Sequence, residues 1–105
     1  MMNRLQQLMV ISMEECGELI QECSKIIRKH ETIADVGQKH RQTLLEEAGD
    51  VYAMIQLMIK HGFFDYYDLE LRAKEKHKKL EKWSNLYDED EKHFKEKQTD
   101  LFDLL

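Results

Sequence analysis

The sequence has no proline, and only four glycines and two cysteines in 105 residues. Without proline, no residue inside a helical run lacks its backbone donor, so long helices meet no built-in stop. Scarce glycine leaves few positions suited to tight turns. Cys16 and Cys23 are seven apart; on one helix that is about 10 Å along the axis, too far for a disulfide, so both are read as reduced thiols. There is no Gly-rich phosphate loop, which argues against a P-loop nucleotidase. There is no Glu-x-x-His pair, which argues against a di-iron carboxylate bundle. No Cys/His cluster is present, which argues against zinc. No apolar run approaches the ~20 residues that span a bilayer, and the N-terminus lacks a signal-peptide pattern. The expectation is a cytoplasmic protein with no membrane partner.

What remains is rich in charge. Charged residues make up 35% and the net charge is -5, a balance that disfavours nucleic-acid polymers as partners. Hydrophobic residues make up 42%, too many for a disordered chain. Abundant Leu, Glu, Lys, Met and Gln point to an all-α fold. The length fits one domain over residues 1–105, with a core of about 2–83 and a C-terminal extension, 84–105.

The periodicity predicts a first helix from residue 2 to about 30. Leu5, Met9, Ser12, Cys16, Leu19, Cys23 and Ile26 repeat in steps of four and three and are read as its inward seam. Glu15 lies beside that seam and is expected to be partly buried. Residues 31–39 read as a loop. A second helix is predicted from about His40 to His61, with Gly62 closing it; a capping box between Thr43 and Glu46 would start it later. Val51–Ile59 is apolar except at Gln56, more than three helices can cover, so a second subunit is expected to complete the bundle. A third helix, roughly Asp65 to Trp83, would turn Tyr66, Leu69, Ala73 and Leu80 inward and a basic face outward. Residues 88–98 allow a fourth helix, and the apolar 101–105 allow docking on a partner. The five histidines show no metal spacing and are read as surface residues.

One pattern occurs twice: Glu14-Glu15-Cys16-Gly17-Glu18-Leu19 and Glu46-Glu47-Ala48-Gly49-Asp50-Val51. Residues three apart share a helix face, so Glu15 pairs with Glu18 and Glu47 with Asp50. The arrangement is costly. Like charges four apart, such as Glu14 and Glu18, destabilise a helix by about 0.2–0.5 kcal/mol, and a mid-helix glycine by about 1 kcal/mol. A cation shared between two helices would offset this, with the glycines letting the backbones approach. Four oxygen donors suit Mg²⁺ or Mn²⁺. Mg²⁺ held by few carboxylates keeps water and binds phosphates, which points to metal-assisted hydrolysis of a phosphate compound.

Glu14-Glu15-x-x-Glu18 followed, after 28 residues, by Glu47-x-x-Asp50 resembles the signature of the all-α nucleoside triphosphate pyrophosphohydrolases. That superfamily includes MazG, the dimeric dUTPases, the dCTP pyrophosphatases and phosphoribosyl-ATP pyrophosphohydrolase. The small size is similar to the single-domain MazG-like proteins, several of them phage-encoded. The resemblance covers about residues 5–83 and implies an antiparallel helix bundle completed as a homodimer or homotetramer. It implies Glu15, Glu18, Glu47 and Asp50 as Mg²⁺ ligands, Glu14, Glu15 and Glu18 as catalytic carboxylates, and cleavage of a nucleoside triphosphate between its α- and β-phosphates. Arg72-Ala73-Lys74-Glu75-Lys76 resembles MazG's basic third helix, Arg-Ala-Asn-Glu-Lys, so Lys76 would contact phosphate, with Lys79 on the same basic face; Lys74 departs from the family's Asn. Lys25 lies seven residues beyond Glu18 and is a further phosphate candidate. Gln7 continues the ligand stripe and would read a base edge. Trp83 would stack on a base or close the bundle. Phosphoribosyl-ATP pyrophosphohydrolase is the alternative within the class. A non-catalytic helical oligomerisation or adaptor module is the alternative outside it.

Overall fold

The computed structural model describes residues 1–88. Among these the chain is all-helical, with α1 at Arg4–Lys29, α2 at Gln38–Lys60 and α3 at Tyr66–Trp83. None of these helices is long and apolar enough to cross a membrane. The expectations for residues beyond 88, including 101–105, lie outside the described residues. The chain divides into two compact units, Met1–Phe63 and a second beginning at Phe64.

Each helix end is set by short-range chemistry. Asn3 caps α1: its Oδ1 accepts from the Gln6 backbone N–H at 2.8 Å, and Gln6 Oε1 accepts from the Asn3 N–H at 3.0 Å. This reciprocal box satisfies two donors that a helix start leaves open. α2 begins five residues before Thr43, so the box expected there does not form; the Thr43 hydroxyl instead donates to the Lys39 carbonyl. Its N-cap is Gly37, which has no side chain to cap with. Arg41 reaches back instead, donating to the Val36 and Ile33 carbonyls at 2.8 and 2.7 Å and tying the connection 30–37 to the helix.

The end of α2 follows the expected glycine. Gly62 has φ +81, the left-handed region that costs a side-chain-bearing residue most. The Gly62 N–H donates to the Ile59 carbonyl and the Phe63 N–H to the Met58 carbonyl, the double bond of a Schellman stop.

In the first unit α1 packs on α2 as an antiparallel hairpin. Leu8 and Met54 are its buried apolar side chains, and Glu22 is buried with them. The expected seam of α1 is met in part: Met9, Ser12, Leu19 and Ile26 are half-buried, whereas Cys16 and Cys23 are exposed and Leu5 is 55% exposed. Leu8, Glu15 and Glu22, seven apart, turn toward α2 beside them. For Glu22 the opposing helix supplies a polar partner in His40. The glycines also differ from expectation: a Cβ at Gly17 or Gly49 would meet nothing within 4 Å, so neither mediates a close approach of the two backbones. Along Val51–Ile59 only Met54 is buried, while Tyr52 and Leu57 remain exposed.

In the second unit Asp65 caps α3 by accepting from the Asp68 N–H at 2.7 Å. No α3 residue is fully buried. Leu69 and Leu80 are half-buried, whereas Tyr66 and Ala73, also expected inward, are exposed. After Ser84 the chain turns so that the Tyr87 hydroxyl meets His77 Nδ1.

Candidate metal centre

Glu15 and Glu18 stand one turn apart on α1, as do Glu47 and Asp50 on α2. The antiparallel hairpin brings the two pairs together: one carboxylate oxygen from each of the four lies within 4.8 Å of the others. Glu15 and Glu47 are half-buried, Glu18 and Asp50 exposed. The cluster thus has a sheltered floor and an open rim.

Two observations fit a cation to this set. Glu15 Oε2 and Glu47 Oε2 are buried without a hydrogen-bond partner, a condition that is expensive for a carboxylate unless something positive satisfies it. The same two residues also hold their protons above the ordinary carboxylate range. For Glu15 the cause is burial first, then the charges of Glu18, Asp50 and Glu14. For Glu47 it is burial first, then the Glu18 carboxylate and the charges of Asp50 and Glu15. All four donors are oxygens, the set that hard divalent cations such as Mg²⁺ or Mn²⁺ take.

The remaining candidates fall in different places. Glu14 is exposed and stands outside the four. Glu46 is exposed and accepts from Gln42 Nε2 at 3.4 Å. Gln7 donates through Nε2 to the Met2 carbonyl at 3.0 Å, so its amide is engaged with the chain's own N-terminus. Lys25 is exposed on α1. Lys76, Lys79 and Trp83 belong to α3, in the other unit.

A polar constellation absent from the sequence-based expectation lies toward the loop end of the hairpin. Glu22, one turn past Glu18, is 4% exposed, and the His40 Nδ1–H donates to its Oε1 at 3.1 Å. The His30 ring stands edge-on to His40, with centroids 5.3 Å apart. His30 Nε2 is buried without a partner. His30 and His40 are therefore not surface residues. The only signal in the sequence is positional: Glu22 continues the Glu15 face, and His40 is two turns before Glu47. The bond joins the two helices and matches a buried carboxylate with a donor. Replacing His40 by Leu should destabilise the protein by about 1–3 kcal/mol, the usual penalty for orphaning a buried polar group. His40→Gln, which keeps a donor, should recover most of the loss. Urea unfolding of the three proteins is the measurement, and equal stability of the Leu and Gln variants would show that the bond contributes nothing.

Comparison with protein-family models, with curated proteins and with solved structures finds no match to this chain. Its chemistry is therefore read from the site itself.

Proposed function

We propose that the chain is a Mg²⁺-dependent nucleoside triphosphate pyrophosphohydrolase of the MazG-like kind, acting as a homo-oligomer. The observation that carries this reading is the convergence of Glu15, Glu18, Glu47 and Asp50 within 4.8 Å, with two buried carboxylate oxygens left unsatisfied. Bound among these four residues, a divalent cation supplies Lewis-acid polarisation and charge neutralisation at phosphoryl oxygens.

The protein's own groups account for the rest. Glu15, half-buried in the cluster, is the carboxylate assigned to accept the proton of the attacking water. Glu14, exposed beside the four, adds negative charge at the rim. Lys25 is the exposed α1 cation assigned to the departing pyrophosphate, whose developing charge a fixed cation stabilises. An adaptor module would need the hairpin but has no use for four converging carboxylates with unsatisfied oxygens.

The test is product analysis by phosphorus NMR in ¹⁸O-water with Mg²⁺ and each common nucleoside triphosphate. Equal amounts of nucleoside monophosphate and pyrophosphate are expected, with the label in the monophosphate. Orthophosphate and nucleoside diphosphate as primary products would overturn the reading. Label in the pyrophosphate would move the attack to the β-phosphate.

A further inference from the structure

Three layers of facing side chains cross the hairpin of α1 and α2. The Glu22–His40 bond, 3.1 Å long, sets the register. Seven residues back along α1 and seven on along α2 bring Glu15 level with Glu47, and both carboxylates belong to the acid cluster. Seven more bring Leu8 level with Met54, the two buried apolar side chains. Each step of seven is about 10.5 Å of helix. The acid layer therefore stands midway between an apolar layer and a polar one. Without a cation its carboxylates repel and press the helices apart, and the layers on either side hold them.

We infer that Glu22 and His40 are positioning residues for the metal centre: their bond fixes the separation of α1 and α2 at the acid layer and makes the cluster favour a small divalent cation over a large one. The inference rests on the proposed cation site and adds what selects the ion. The two flanking layers differ in how much movement they tolerate. Methionine is unbranched and flexible and fills gaps of irregular shape, so Leu8 and Met54 accept a range of separations. A hydrogen bond is directional, and N–H···O bonds run to about 3.2 Å; at 3.1 Å this one has little length to spare. His30, the residue that closes α1, stands edge-on to the His40 ring with centroids 5.3 Å apart and limits its rotation. Glu22 is 4% exposed, which leaves water little room to replace His40.

Ion size is where that difference is felt. Mg²⁺ takes oxygen ligands at about 2.0–2.1 Å and Ca²⁺ at about 2.3–2.6 Å. One oxygen from each of the four acids lies within 4.8 Å of the others, and the smaller ion needs them drawn closer together than the larger. Glu15 and Glu18 come from one helix and Glu47 and Asp50 from the other, so widening the hairpin works against the smaller ion first. The Glu22–His40 bond opposes that widening one turn from Glu18. An apolar pair in its place would let the repelling acids set a wider gap, and Ca²⁺ would gain on Mg²⁺. Both ions carry the same charge, so a change in the field of the site cancels when the two are compared.

The experiment is calorimetric titration of the full chain with MgCl₂ and with CaCl₂, without nucleotide, read as the ratio of the Ca²⁺ to the Mg²⁺ dissociation constant. His40→Leu should lower that ratio at least fivefold, the factor that corresponds to about 1 kcal/mol and to the net contribution of one hydrogen bond. His40→Gln, which keeps a donor, should stay within about twofold of wild type. Glu22→Leu combined with His40→Leu replaces both partners, so it should regain the stability that His40→Leu loses. Its ratio should nevertheless stay low, because an apolar layer does not fix the gap. That pair of results separates positioning from mere support, and the double variant carries the test if His40→Leu does not fold. Met54→Leu, a swap of similar volume in the apolar layer, should leave the ratio within about twofold. A double variant with the wild-type ratio would overturn the inference, as would a Met54→Leu ratio as low as that of His40→Leu. A wild-type chain that binds neither ion would overturn the metal centre and this inference together. The expected ratios in a chain that releases no pyrophosphate would overturn the proposed function and leave the positioning role standing.

Discussion

Asp50→Asn is expected to lower pyrophosphate release more than about 100-fold while leaving the helix content unchanged. Loss of a group that merely orients a metal ligand already costs about 10–100-fold, and Asp50 is placed to be a ligand itself. Its carboxylate is one of the four within 4.8 Å, and its charge helps to raise the proton affinity of both Glu15 and Glu47. Asn keeps the shape and one oxygen but removes the charge. The side chain is exposed, so no packing is lost, and without cation the variant should unfold no more easily than the wild type because a source of repulsion has gone. The two readouts separate a ligand from a structural residue: a ligand loses activity and keeps stability. Activity within about tenfold of wild type would remove Asp50 from the centre.

The second large effect is on stability. In the folded chain Glu15 and Glu47 bind protons more tightly than in the unfolded chain. The folded state therefore carries more protons wherever the pH lies between the unfolded and folded values. Stability falls across that interval as pH rises, and the contribution that is complete below the ordinary carboxylate value is lost once the raised values are passed. In chelator the thermal midpoint should thus decline from mildly acidic toward neutral pH. Excess Mg²⁺ at neutral pH should reverse the decline. At a hundredfold excess over its dissociation constant a ligand adds about 2.7 kcal/mol, which for a domain of this size is a rise of about 10–20 °C. Scanning calorimetry across pH, with and without Mg²⁺, reads both effects. A midpoint indifferent to the cation is what the adaptor reading requires. The rise should disappear in Asp50→Asn, which ties it to these carboxylates rather than to general ionic strength.

The acid cluster was legible in the sequence because its information is local. A spacing of three places two carboxylates on one helix face whatever surrounds it, and the doubled pattern left only the hairpin to be supplied. The helix ends were legible for the same reason: Gly62 stops α2 and Asp65 starts α3 through bonds a few residues long. Which residues of α1 are buried most deeply was legible only in part. Met9, Ser12, Leu19 and Ile26 of the expected seam are half-buried, but the buried positions Leu8 and Glu22 lie off it. Glu22 can be buried only because His40, 18 residues away, arrives with a donor. No periodicity within one helix reports that match. His30 and His40 depart from the surface reading on the same account, since their environment is created by the turn between the helices, whereas His61 and His77 are exposed as expected. α2 starts at Gln38, two residues before the expected His40; the later start at Thr43 fails because Arg41 ties down the connection by reaching backward.

The separation of the Glu22–His40 bond from the four acids along one hairpin also bears on the order of assembly. Contacts near the connecting loop close short stretches of chain and form first, because short closures lose least chain entropy. The first cross-helix polar contact met on this route, His40 with Glu22, is attractive. The next, Glu18 with Glu47 and then Glu15 with Asp50, brings like charges together. The hairpin therefore zips from the loop through a downhill step into an uphill one before Leu8 and Met54 close its far end. A divalent cation acts on the second step alone. It governs how firmly the middle of the hairpin is held, while the loop end depends on a histidine and a carboxylate.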